Sequence, residues 1–116
     1  MNGNVSQIII DQLLSWPEVT QQPHRFGGIE FLFIGKEIGH LHGDHLVDLL
    51  MPKSFRDQLT VSGRAQPHHM YPDSGWVSVY LTSNGDVTNA IELLRFKYDY
   101  LVAKRNSDDK NTPYYF

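Results

Sequence analysis

The chain has 116 residues, 41% hydrophobic and 20% charged, with a formal net charge of -3. That composition is the one expected of a packed domain, and no stretch concentrates the basic charge that non-specific nucleic-acid binding requires. There is no cysteine, which removes disulfides, thiolate metal sites and a cysteine nucleophile together and fits a cytoplasmic setting.

The opening MNGNVSQIIIDQLL lacks the basic segment and the long apolar run of a signal peptide. Runs such as FLFI are too short to cross a bilayer, so no membrane association is expected. From Val5 to Trp16, the residues Val5, Ile8, Ile9, Leu13 and Trp16 fall on one helical stripe, with Asn4 or Ser6 as cap and Pro17 as stop. The polar stretch EVTQQPHRFGG then reads as a connector.

Three short strand candidates follow, IEFLFIG, KEIGHLHG and HLVDLLM, each bounded by glycine. Their spacing suits antiparallel hairpins and leaves no room for βαβ crossovers. PKSFRDQLTVSG carries proline at its start and Gly63 at its end, the arrangement of a short helix. RAQPHHMYP, with two prolines, is at most an irregular edge strand.

GWVSVYLTS is the clearest strand, with Val77, Val79 and Leu81 facing the core and Trp76, Ser78 and Tyr80 opposite. From Asp86 onward, Val87, Ala90, Ile91, Leu94, Tyr98, Leu101 and Val102 recur at helical spacing. The expected architecture is α+β, a two-layer sandwich. An antiparallel sheet of about four to five strands packs against N-terminal, short middle and long C-terminal helices. Residues 1–104 form one domain in this reading, and 105–116 a polar tail.

Chemistry concentrates in KEIGHLHGDH, residues 36–45. On a strand His40 and His42 share a face, and two imidazoles at that spacing can chelate one divalent metal if a third ligand comes from elsewhere. His69, in the loop QPHHMYP, is the chosen third ligand, with His45, His68, Glu37 and Asp48 as others within reach. The HxH spacing resembles that of cupin metal sites, although GDHLVDL lacks the glutamate a cupin places a few residues later.

The same histidines can instead serve as acid–base groups, or as hydrogen-bonding side chains on a half-exposed strand. No P-loop, dinucleotide fingerprint, GxSxG elbow or HExxH is present. Ser74 in PDSGW reads as a turn residue.

HRFGGIEF, KEIGHLHG, QPHHMYPDSGW and LLRFKY occur in that order and resemble the luciferase-like domain family, small bacterial and fungal domains mostly of unknown function. The matching positions are Arg25, Gly28, Glu30, Glu37, Gly39, His40, His42, Asp48, His68, His69, Pro72, Ser74, Gly75 and Trp76. The resemblance implies no catalytic role for any of them. The GW strand followed by a helix ending in LLRFKYDYLV is also similar to the YjbR-like α+β fold.

The leading expectation is a domain that binds a small polar ligand through Glu37, His40, His42, His69 and Trp76. The second is an enzyme, either metal-assisted through His40, His42 and His69 or working by histidine acid–base chemistry. The third is a homodimeric interaction module that buries the face from Trp76 to Tyr80.

Overall fold

The computed structural model describes residues 4–24, 27–68 and 70–115, with residues 108–115 given by backbone alone. Its elements run in the order α1 (Val5–Leu14), β1 (Val19–Pro23), β2 (Ile29–Phe33), β3 (Lys36–His42), β4 (Leu46–Leu50), α2 (Lys53–Val61), β5 (Gln66–Pro67), β6 (Trp76–Tyr80) and α3 (Asn84–Tyr115). The strands form one antiparallel sheet in the order β1-β2-β3-β4-β6-β5.

The α+β class is therefore the observed one, but the sheet has six strands rather than four to five. The additional strand is β1, which comes from the polar stretch read as a connector. Of its five residues only Val19 is buried. An edge strand is held by ladder hydrogen bonds to one neighbour and needs no alternating apolar pattern.

α1 and α3 cover one face of the sheet. Ile9 and Leu13 of α1 and Ala90, Leu94 and Tyr98 of α3 join Phe31, Leu41, Val47, Leu49 and Val77 in one core. Burial of each large aliphatic or aromatic side chain contributes about 1.5–3 kcal/mol. Ile8, expected on the buried stripe of α1, is instead 51% exposed. Trp16 and Tyr98 pack with ring centroids 5.3 Å apart, and the Tyr98 hydroxyl donates to the Pro17 carbonyl, which fixes where α1 ends relative to α3.

α2 ends as its sequence indicates. Gly63 has φ +79°, its N–H bonds the Thr60 carbonyl and the Arg64 N–H bonds the Leu59 carbonyl. This paired pattern is a Schellman motif, which glycine favours because it alone enters the left-handed region without strain. The backbone of the polar segment beyond Lys104 continues α3.

The register determines what the opposite face carries. One line of paired positions crosses all six strands: Gln22, Glu30, His40, Asp48, Ser78 and Gln66. Alternation then puts Phe31, Leu41, Val47 and Val77 in the core and these polar side chains on the other side. Regular alternation breaks once, in β3. Phe31 pairs with Gly39 and Leu32 with Glu37, so Ile38 is an extra residue. Ile38 is fully buried, and the bulge turns Glu37 onto the same face as His40.

Candidate ligand-binding cleft

The polar face forms the floor of a cleft of about 1000 Å³, lined by Glu30, Glu37, His40, His42, Asp48 and His68 and by Gln22, Pro23, His24, Met70, Tyr71 and Trp76. Its volume lies at the upper end of the range usual for small-molecule sites. A second concavity of about 270 Å³ between α2 and α3 is lined by Phe55, Gln58, Leu59, Arg64, Glu92, Leu93 and Phe96 and has no imidazole.

Asp48 is the hub of the floor. Its Oδ2 lies 3.2 Å from His42 Nε2, 3.3 Å from His40 Nε2 and 3.5 Å from His68 Nε2. Its other oxygen, Oδ1, accepts a 2.5 Å hydrogen bond from the Ser78 hydroxyl. Only 2% of the Asp48 side chain is exposed. Burial works against its charge, but the bonds from His40 and Ser78 outweigh burial and draw its pKa down to about 2.

His40 is held from both ring nitrogens. Nδ1 lies 2.9 Å from Glu37 Oε2, and Nε2 faces Asp48. Burial disfavours the imidazolium, yet the two carboxylates prevail and raise the pKa to about 9. Glu37 responds in kind: burial pushes its carboxyl up, but the bond and charge of His40, joined by Glu30 and His24, together bring it below its ordinary value. His42 is shifted the opposite way to His40, downward, by burial and by the positive charge of His40.

Aromatic rings enclose this floor. The His24 ring stacks on His40 at 4.2 Å, Trp76 stands 5.2 Å from His40, and Tyr71 stacks on His68 at 5.3 Å. The Met70 N–H donates to His68 Nδ1, so the proton of a neutral His68 sits on Nε2, toward Asp48. Among the described residues two sets can bring ligand atoms together for a metal ion, His40 with His42 and Asp48, and His24 with Glu37 and His40.

Four of the five residues expected from sequence thus meet in one cleft: Glu37, His40, His42 and Trp76. His69 lies outside the described residues, as does Arg25. Asp48, only one of several carboxylates within reach in sequence, is central because the ladder pairs it with His40. Glu30, on β2, is one of the positions that carry the family resemblance, whereas His24 and Tyr71 carry no such signal and arrive directly after β1 and in the loop before β6. Ser74 has the turn role expected of it, donating to the Tyr71 carbonyl and accepting from the Trp76 N–H.

Among the described residues no helix is long and apolar enough to cross a membrane. Comparisons with curated proteins and with solved structures returned no match. The model of the luciferase domain family matches residues 35–97, from the turn before β3 into α3, and so takes in His40, His42, Asp48, His68 and Trp76. This match covers more than half of the chain, and the protein belongs to the luciferase domain family.

Proposed function

We propose that the domain binds a small polar molecule in the cleft above β3, β4 and β6. The observation that carries this reading is the pairing of a satisfied, charged floor with aromatic walls: Glu37, His40 and Asp48 below, His24, Tyr71 and Trp76 around. Pockets for small molecules are typically apolar-walled with a few fixed polar groups.

The charge balance narrows the ligand. Glu30, Glu37 and Asp48 face the cleft against the imidazolium of His40. An uncharged or cationic molecule is favoured over a carboxylate, which would meet three like charges. A flat ring can lie against Trp76 while its polar edge reaches His42, whose side chain is 25% exposed.

The test is amide chemical-shift mapping of chelator-treated protein against a set of small phenols, imidazoles and pyrimidines. The expected result is saturable shifts centred on Glu37, His40, His42, Asp48 and Trp76, weakened about tenfold by Trp76→Ala, the loss of roughly one aromatic contact. Shifts centred on Phe55 and Phe96, or none at all across the set, would overturn the reading.

A further inference from the structure

We infer that His40 Nε2, His42 Nε2 and Asp48 Oδ2 form a mononuclear site for a divalent first-row transition ion such as Zn²⁺ or Fe²⁺. The inference rests on the cleft reading only for what the ion faces, since its open positions would turn toward the bound molecule.

Spacing is the first argument. Asp48 Oδ2 stands 3.2 Å and 3.3 Å from the two Nε2 atoms, and the three residues offer ligand atoms all within 4.8 Å of one another. A charge-assisted hydrogen bond from the His40 imidazolium to a carboxylate is normally shorter than its 3.3 Å, at about 2.7–2.9 Å. Ligand atoms bound at about 2.0–2.1 Å around a tetrahedral ion are separated by ~3.3 Å.

The surrounding groups are the second argument. A metal-bound histidine almost always donates its other N–H to a carboxylate or carbonyl, which fixes the tautomer and aims the lone pair. Glu37 Oε2 does this for His40, at 2.9 Å from Nδ1. Asp48 is oriented in the same manner. Ser78 occupies Oδ1, and the Nε2–H of His68 points at Oδ2 from 3.5 Å. His68 therefore supports the carboxylate rather than binding the ion.

Donor chemistry selects the metal class. Two imidazoles and one carboxylate suit Zn²⁺ and Fe²⁺ and are poor for Ca²⁺ and Mg²⁺, which prefer oxygen. Three protein ligands leave positions for water or substrate, as in catalytic rather than structural sites. In the competing set of His24, Glu37 and His40, two of the three ligands, Glu37 and His40, are already bonded to each other.

The experiment titrates Co²⁺ and Zn²⁺ into the tag-free, chelator-stripped full chain with no small molecule present. Calorimetry gives stoichiometry, and visible absorption of Co²⁺ reports imidazole ligation. We expect one ion per chain and loss of binding by at least about 100-fold in His42→Ala. Glu37→Gln should weaken it by about 10–100-fold, as loss of an outer support does. His24→Ala should weaken it by less than Glu37→Gln does, since the His24 ring stacks on His40 without ligating the ion.

His42 is the primary variant because it is the most exposed of the three, and circular dichroism in chelator verifies its fold; Asp48→Asn is the shape-conserving second. Absence of saturable binding, parent-like binding by folded His42→Ala, or loss in His24→Ala instead would overturn the assignment. Because ligand mapping uses chelator and this titration uses no ligand, either reading can fail without the other.

Discussion

Glu37 and His40 are three residues apart in β3, a separation that puts side chains on opposite faces of a regular strand, yet Glu37 Oε2 lies 2.9 Å from His40 Nδ1. The bulge at Ile38 reconciles the two. It lets Ile38 stay buried while the carboxylate crosses to the cleft side, and a charge-assisted bond results that ties the turn-proximal end of β3 to the centre of the site.

Glu37→Gln should therefore destabilise the metal-free protein by about 1–2 kcal/mol, because it keeps the shape but removes the charge from a partly exposed bond. Urea unfolding in chelator measures it. A change within error would mean the bond is positional only.

Asp48→Ala should be the costliest change on the floor, about 3 kcal/mol or more. It strips three imidazoles and the Ser78 hydroxyl of their common partner. Asp48→Asn should fall between Ala and the parent in the same urea series, since it still accepts from Ser78. Parity of the three proteins would show that water replaces the carboxylate without loss.

The hairpin between β2 and β3 turns on Ile34 and Gly35, with φ of 48° and 79°. Both positive angles mark a two-residue turn of the kind that favours Asn-Gly, and a β-branched residue there is strained by about 1–2 kcal/mol. Ile34 is 41% exposed, so little burial is lost on replacement. Ile34→Asn should stabilise the protein by about 1 kcal/mol in thermal unfolding. A lower melting temperature would instead assign Ile34 a packing role that outweighs its strain.

The start of α3 should respond to pH through Asp86. Its carboxylate accepts from the Thr82 hydroxyl at 2.7 Å and the Thr82 N–H at 2.9 Å, while Ser83 Oγ accepts from the Asp86 N–H. These bonds, first of all that from the Thr82 hydroxyl, lower its pKa below 3.8. A depressed folded pKa means stability is present above the unfolded pKa and is lost as pH falls through the folded one. Asp86→Ala should cost about 0.5–1 kcal/mol at neutral pH, as for a helix cap. That difference from the parent should vanish in acid. Paired thermal melts across the acid range check it, and a difference independent of pH would assign the cost to helix packing.

Much of the fold was legible because it is written in local pattern. Alternating Val77, Val79 and Leu81 announced β6, the stripe through Val87, Ala90, Leu94 and Tyr98 announced α3, and Pro52 with Gly63 bracketed α2. β1 was not legible, since four of its five residues are exposed and carry no alternation. Ile8 was misplaced because a run of three isoleucines gives more apolar positions than one face of a helix of ten residues can bury.

The site divides in the same way. Composition and spacing alone determined that chemistry gathers on KEIGHLHGDH, that His40 and His42 share a face, and that Trp76 lies opposite the valines of its strand. Only the tertiary structure decided that Asp48 stands between those histidines, that Glu37 reaches His40 and that His24 stacks above it. The physical reason is that side-chain periodicity is a property of one strand, whereas juxtaposition across strands depends on register. Register here is settled by burying Phe31, Ile38, Leu41, Leu49 and Val77 together, at distances along the chain that no local pattern spans.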